Sequence, residues 1–181
     1  MSPRSFFRRS TVKESAHKLY LKLVGQARRP EFYTSCGVPD TLDGRFDMIV
    51  LHAFLLMARL KRDRDEAAPL RQALFDVMFA DMDRSLREMG VGDLGVGRRV
   101  KAMVRGFYGR LAAYESSLSA DDDTALAAAL RRNLYGTVQP EIAHPARMAH
   151  YVRREAASLA RQDLEDLLAG QVTFGPPPAG T

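Results

Sequence analysis

The sequence predicts an all-α fold: a single helical-bundle domain of about six helices, with a long irregular loop between the first two. Three observations predict it. Apolar residues recur at three-and-four spacing along most of the chain, the period of helices with one buried face. No convincing strand pair and no internal repeat interrupts that pattern. The length of 181 residues corresponds to one domain of roughly 150 residues with short ends. A chain of that size buries roughly 70% of its unfolded surface and needs no staples.

Residues 1–10 are expected to form a flexible N-terminus, residues 11–169 the helical domain, and residues 170–181 a disordered tail. The first helix is predicted from about Thr11 to Arg28, where Val12, Ala16, Leu19, Tyr20, Leu23, Val24 and Ala27 make one apolar stripe. Thr11 and Glu14 have capping-box spacing, and Pro30 stops the helix. Pro30 to Gly44 reads as irregular, with turn signals at Gly37 and Val38-Pro39-Asp40. Loops of this length inside compact domains are uncommon and often functional.

The second helix runs from about Arg45 to Lys61, with Asp43 as its cap. It is apolar nearly all round, which places it in the middle of the bundle. The third begins near Pro69, follows the stripe Leu70, Leu74, Val77, Met78, Met82, Leu86 and Met89, and ends at Gly90. The fourth covers about Arg98 to Ser117, the fifth Thr124 to Leu134, and the sixth Pro145 to Leu168. The tail, with Pro176-Pro177-Pro178, has the composition of disorder.

Composition narrows the function. Hydrophobic residues are 46% and charged residues 27%, which excludes disordered, collagenous and disulfide-rich chains. Cys36 is the single cysteine and has no partner within the chain. The net charge is +5, and only five of the 27 cationic residues are lysine. That balance favours an anionic partner without choosing among nucleic acid, ribosome and membrane surface. The pairs Arg131-Arg132 and Arg153-Arg154 are candidate contacts to such a surface. Arg8-Arg9 leads into Thr11, Lys13 and Glu14, so a secretory leader is not expected. The most apolar run, Phe46 to Leu60, is too short to span a bilayer. The expected location is the cytoplasm, peripherally at the inner membrane face.

Catalytic and cofactor motifs are weak. Gly90-Val91-Gly92-Asp93-Leu94-Gly95 matches a dinucleotide fingerprint, but a helix rather than a strand precedes it. Asp121-Asp122-Asp123 lacks the ligand spacing and glycine of a calcium loop and suits a helix start. His17, His52, His144 and His150 contain no i, i+4 pair for zinc. A Cys36–His52 nucleophilic pair has no orienting third group or oxyanion site in view. No cofactor, no metal, no specific DNA and no small-molecule substrate is expected, and the chain reads as a non-enzyme.

One resemblance is more specific. Phe32-Tyr33, then Gly37-Val38-Pro39-Asp40-Thr41, Gly44-Arg45-Phe46 and Leu51-His52 resemble the signature of the ubiquinol–cytochrome c chaperone family. The series continues through Gly106-Phe107-Tyr108-Gly109-Arg110, Ala113-Tyr114-Glu115, Asp121-Asp122, Leu126-Ala127, Leu130, Arg132-Asn133-Leu134 and Tyr151-Val152-Arg153-Arg154. It extends from about Leu19 to Leu168. Mitochondrial members have tryptophans near the positions of Phe54, Ala80 and Arg131, whereas this chain has none, which points to a bacterial-type member.

The resemblance implies an assembly factor for the cytochrome bc1 complex, with newly made cytochrome b or another bc1 subunit as client. It also implies docking near the ribosomal tunnel exit and work with a small partner protein. The alternative is a ribosome- or RNA-associated factor that regulates synthesis of a membrane protein. A chaperone for a membrane protein requires an apolar surface with a basic rim rather than an active site, whereas in the alternative the arginine pairs contact phosphate. The expected client-binding surface is the long loop with the exposed side of the second helix, shaped or touched by Phe32, Tyr33, Val38, Pro39, Asp40, Thr41 and His52.

Overall fold

The structure, a computed structural model, describes residues 3–120 and 122–179, with side chains from residue 11 onward. Among the described residues there are eight helices and no strand. They are α1 (Pro3–Ala27), α2 (Glu31–Thr34), α3 (Leu42–Lys61), α4 (Arg64–Glu88), α5 (Asp93–Leu118), α6 (Asp123–Leu134), α7 (Ala143–Leu159) and α8 (Leu164–Leu168). The all-α class is as expected. The two additional elements are the single turn α2 inside the long loop and the short α8, split from the last expected helix.

Helix α3 is the axis of the bundle. Every residue from Met48 to Met57 is buried, and the helix packs against α1, α4, α5, α6 and α7. This is the outcome its all-round apolarity demands, since no face of it tolerates water. Each fully buried leucine or phenylalanine along it contributes about 1.5–3 kcal/mol. The remaining helices surround it: α1 lies along α4, and α6 pairs with both α5 and α7.

Several helix ends differ from the expected ones for identifiable reasons. Thr41, not Asp43, caps α3: its backbone is extended, and its Oγ1 accepts from the Gly44 amide at 3.1 Å. Pro69 does not start α4 but sits inside it. There it removes only the bond to the Asp65 carbonyl, and both residues are exposed. The glycine motif is a helix-to-helix turn. Gly90 takes a φ of +81° after α4, and Gly92 leads into α5. Asp121 lies outside the described residues, while Asp122 caps α6 by accepting from the Thr124 amide at 2.8 Å.

The split between α7 and α8 has its own cause. Arg59, buried on α3, donates from Nε to the Leu159 carbonyl at 3.0 Å and from Nη2 to the Gln162 carbonyl at 2.7 Å. Its Nη1 pairs with Asp63. One guanidinium thus binds the last carbonyl of α7 and the Gln162 carbonyl in the turn beyond it.

The segment after α8, expected to be disordered, is held against the body. Val172 and Pro177 are buried, and Gly175 hydrogen-bonds through both its amide and its carbonyl. Composition alone does not reveal this, because the partners are side chains far away in sequence. Residues 180 and 181 of that tail lie outside the described residues.

Candidate functional site

The long loop is fixed by three connections to the rest of the protein. The Tyr135 hydroxyl donates to the Cys36 carbonyl at 2.7 Å, and Arg147 Nη1 donates to the Ser35 carbonyl at 2.7 Å. Gly37 has a φ of +63°, and a Cβ there would lie 2.3 Å from His144 Nδ1, so the loop closes onto α7 only through a glycine.

Of the expected contact residues, Phe32, Val38, Pro39 and His52 point inward and are buried. The structure does bring Phe32 and His52 together, edge to face at 5.4 Å, but below the surface. Tyr33 is half-buried, and its hydroxyl donates to the Ala27 carbonyl at 2.8 Å. Asp40 and Thr41 are exposed. Asp40 Oδ1 pairs with Arg45 Nε at 2.6 Å, and that guanidinium holds the Asp40 carboxyl below the usual carboxylate range.

His52 belongs to a buried relay across three helices. Its Nδ1 lies 2.9 Å from the Met48 carbonyl, which only accepts, so Nδ1 carries the proton. Its Nε2 then accepts from the Tyr151 hydroxyl at 2.8 Å, and Tyr151 in turn accepts from Gln26 Nε2 at 2.9 Å. Burial pushes the imidazole down to about 4, so the ring is neutral. Burial also pushes the Cys36 thiol up to about 11. With both His52 nitrogens engaged, neither residue is poised as a nucleophile–base pair.

The arginine pairs divide. Arg131 and Arg132 are exposed on the last turn of α6. Arg153 is instead an internal clamp on the α5–α6 turn. Its Nε donates to Asp123 Oδ1 at 2.6 Å, and its two Nη groups reach the carbonyls of Leu118, Ala120 and Asp122 at 3.1–3.3 Å. Arg154 lies over the Tyr151 ring at 5.2 Å and donates to the buried Glu155 and to the Pro176 carbonyl. These two guanidiniums are therefore taken up by intramolecular bonds, a fate that adjacency in sequence does not disclose.

The surface with an apolar floor lies next to the loop rather than on it. A groove of about 530 Å³ opens between the first turns of α3, the end of α4, α5 and the end of α6. Leu42, Phe46, Met82, Met89, Met103 and Leu134 line it, and Arg99 and Arg132 stand on its rim. Leu42 and Met89 are 63% and 50% exposed, a large exposure for such side chains. Three methionines give the groove a soft, polarizable lining that adapts to varied apolar shapes. Within it, Asp47 Oδ1 lies 2.8 Å from Arg110 Nη2. Burial raises the Asp47 carboxyl to about 6, against the pull of that guanidinium. The groove meets the loop directly, because Leu42 and Gly44 follow Thr41. Sequence reasoning placed Met82 and Met89 on a core stripe; no local signal marks the end of that stripe as open.

A second groove, of about 620 Å³, runs between α3, α4 and α5 and is lined by Phe54, Phe75, Phe107 and Tyr108, with Lys61 and Glu115 paired at 2.5 Å beside it. Among the described residues no group of three His, Cys, Asp or Glu is placed to hold a metal ion. No described helix is long and apolar enough to cross a membrane.

Comparison with known proteins gives this geometry a context. Residues 34–174 match the family model described as ubiquinol-cytochrome C chaperone. The chain is 28% identical over 166 residues to ubiquinol-cytochrome-c reductase complex assembly factor 1 of Xenopus laevis, covering 91% of this chain and 82% of that protein. It is 27% identical to the Homo sapiens protein of that name, spanning 91% of this chain but only 55% of the human one. The crystal structure of the Cbp3 homolog from Brucella abortus superposes with a TM-score of 0.84 at 38% identity, over 97% of both chains.

Proposed function

The chain belongs to the ubiquinol–cytochrome c chaperone family, and from that premise we propose that it is a non-enzymatic assembly chaperone for the cytochrome bc1 complex which binds newly made cytochrome b. The observation that carries this reading is the methionine-lined groove beside the loop, with Arg99 and Arg132 at its rim. A membrane protein not yet assembled exposes apolar helix surface to water. A groove with an adaptable apolar floor and a basic rim covers such surface and matches the anionic headgroups around it. Asp40 and Thr41, which lead into the groove-lining Leu42, contact the client together with Tyr33, while Phe32, Val38, Pro39 and His52 hold the loop in place from beneath. Arg131 and Arg132 face the anionic membrane surface, and the protein works peripherally at the cytoplasmic side of the inner membrane.

The bound state of His52 and the raised thiol of Cys36 support a binding role over a catalytic one. The names of the relatives, bc1 assembly factors, support the client complex.

The test is a pull-down of the tagged protein from native membranes in mild detergent after ribonuclease treatment, read by mass spectrometry and a b-type haem spectrum. Cytochrome b is expected in the eluate, and a Met89→Asp, Met103→Asp variant is expected to lose it while retaining its fold. Ribosomal proteins that depend on RNA, recovered without cytochrome b, would overturn the reading in favour of a translation-linked role.

A further inference from the structure

Beyond the helices, residues 171–178 run as an extended segment across α7 and the end of α1, and the body recognises them chiefly through their backbone. Gln162 forms a two-way amide pair with Thr173: its Nε2 donates to the Thr173 carbonyl at 2.7 Å, and its Oε1 accepts from the Thr173 amide at 3.1 Å. The Gly175 amide donates to Glu155 Oε2 at 2.8 Å. The Gly175 carbonyl accepts from Gln26 Nε2 at 2.8 Å. Arg154 Nη2 donates to the Pro176 carbonyl.

Side-chain contacts add sequence preference. The Phe174 ring stands edge-on to His52 at 5.5 Å. A Cβ at position 175 would lie 2.6 Å from Glu155 Oε1, and Glu155 is fully buried and tied to Arg154. Val172 and Pro177 are buried on either side. Backbone recognition of consecutive residues, with a ring site, a glycine packed against the tip of Glu155 and a proline after it, is the chemistry by which domains bind extended peptides in trans. It is not the chemistry of a helix or strand built into a core.

We propose that this channel is a peptide-recognition site, occupied in cis by the chain's own residues 171–178, and that it takes an extended Phe-Gly-Pro segment of a partner polypeptide by the same contacts. The cis segment is then a resident competitor: its local concentration sets how much of the site is open to a partner. Departure of the segment removes the Phe174 ring from His52 and the Gly175 carbonyl from Gln26. The inference does not rest on the assembly role; peptide binding and client capture are separable measurements.

The test uses the full chain carrying Gly175→Val. That change excludes the cis segment and leaves the channel side chains unaltered. A fluorescently labelled synthetic peptide of residues 169–179 is titrated and followed by anisotropy. The variant is expected to bind it at least about tenfold more tightly than the wild-type chain, whose site is filled. A peptide with valine at the position of Gly175 is expected not to bind. Adding Glu155→Gln to the receptor is expected to weaken binding. A folded Gly175→Val chain with no saturable binding, or with equal binding of the valine peptide, overturns the proposal. If the variant does not fold, hydrogen exchange of the wild-type chain decides. Thr173 and Gly175 amides exchanging about a hundredfold faster than Val152 support an exchangeable segment, and equal protection overturns it.

Discussion

The Tyr151 hydroxyl donates to His52 Nε2 at 2.8 Å, joining residues 99 positions apart at the centre of the bundle. Burial away from water keeps the imidazole neutral, moving the ring from 6.5 down to about 4. The unfolded chain takes up a proton there below pH 6.5, while the folded chain refuses it until about pH 4. Stability conferred by the neutral ring is thus fully present above pH 6.5 and falls as pH drops through the window to 4, by ~3 kcal/mol in all. Urea unfolding at pH 7, 5.5 and 4 is expected to show this loss in the wild type and not in His52→Gln. Equal acid sensitivity of the two would remove His52 as its source.

Asp47 works in the opposite direction. Its folded carboxyl titrates near 6 against 3.8 unfolded, so the folded chain binds the extra proton and ionisation costs stability as pH rises. The stability of Asp47→Asn relative to wild type is expected to grow between pH 4 and 7, by up to ~3 kcal/mol. A difference that shrinks with rising pH would mean that Arg110 dominates and holds the carboxylate charged.

Phe32 and Asp40 separate shaping from touching. Phe32 is fully buried against His52 and Tyr151. Phe32→Ala is expected to cost about 3–5 kcal/mol, with client capture falling only as far as the folded fraction does. Asp40→Ala, at an exposed position, is expected to lower capture while the thermal midpoint stays unchanged. Capture unaffected by Asp40→Ala excludes the loop from the client surface.

Arg153 and Arg131 divide in the same way. Arg153→Gln removes a clamp on four acceptors of the α5–α6 turn and is expected to cost about 1–3 kcal/mol. Arg131→Gln is expected to change stability by less than about 0.5 kcal/mol and to weaken adhesion to anionic phospholipid vesicles. Flotation assays of both variants, normalised to folded protein, check this; equal adhesion of Arg131→Gln and wild type would exclude α6 from the membrane contact.

Much of the architecture is legible in the sequence because it is written locally. The all-round apolarity of residues 46–60 dictates a central helix, and Asp122 and Gly90 mark ends that need no distant partner. The illegible parts are those decided at long range. Arg59 ends α7 from another helix, Gln26 and Glu155 hold the tail, and Arg153 turns inward to carbonyls that only the fold delivers. Met82 and Met89 share a stripe with Met78, yet Met78 is buried and Met89, the residue just past the last turn of α4, is half exposed. The motif of the loop and the following helix identifies the family, and Phe32 and His52 of that motif are fully buried.

The tie between Gln26 and Gly175, 149 positions apart, has a consequence for how the protein is made. Other closing bonds span similar distances: Cys36 to Tyr135, His52 to Tyr151 and Arg59 to Leu159 are separated by 99, 99 and 100 positions. During synthesis at about 5–20 residues per second, the polar groups of the first helices wait on the order of 5–30 s for partners that have not yet been translated. The amino-terminal third therefore leaves the ribosome with its relay open and its most apolar helix uncovered. The centre of the bundle closes only once residues 151–159 have been made, because the partners of His52 and Arg59 lie there.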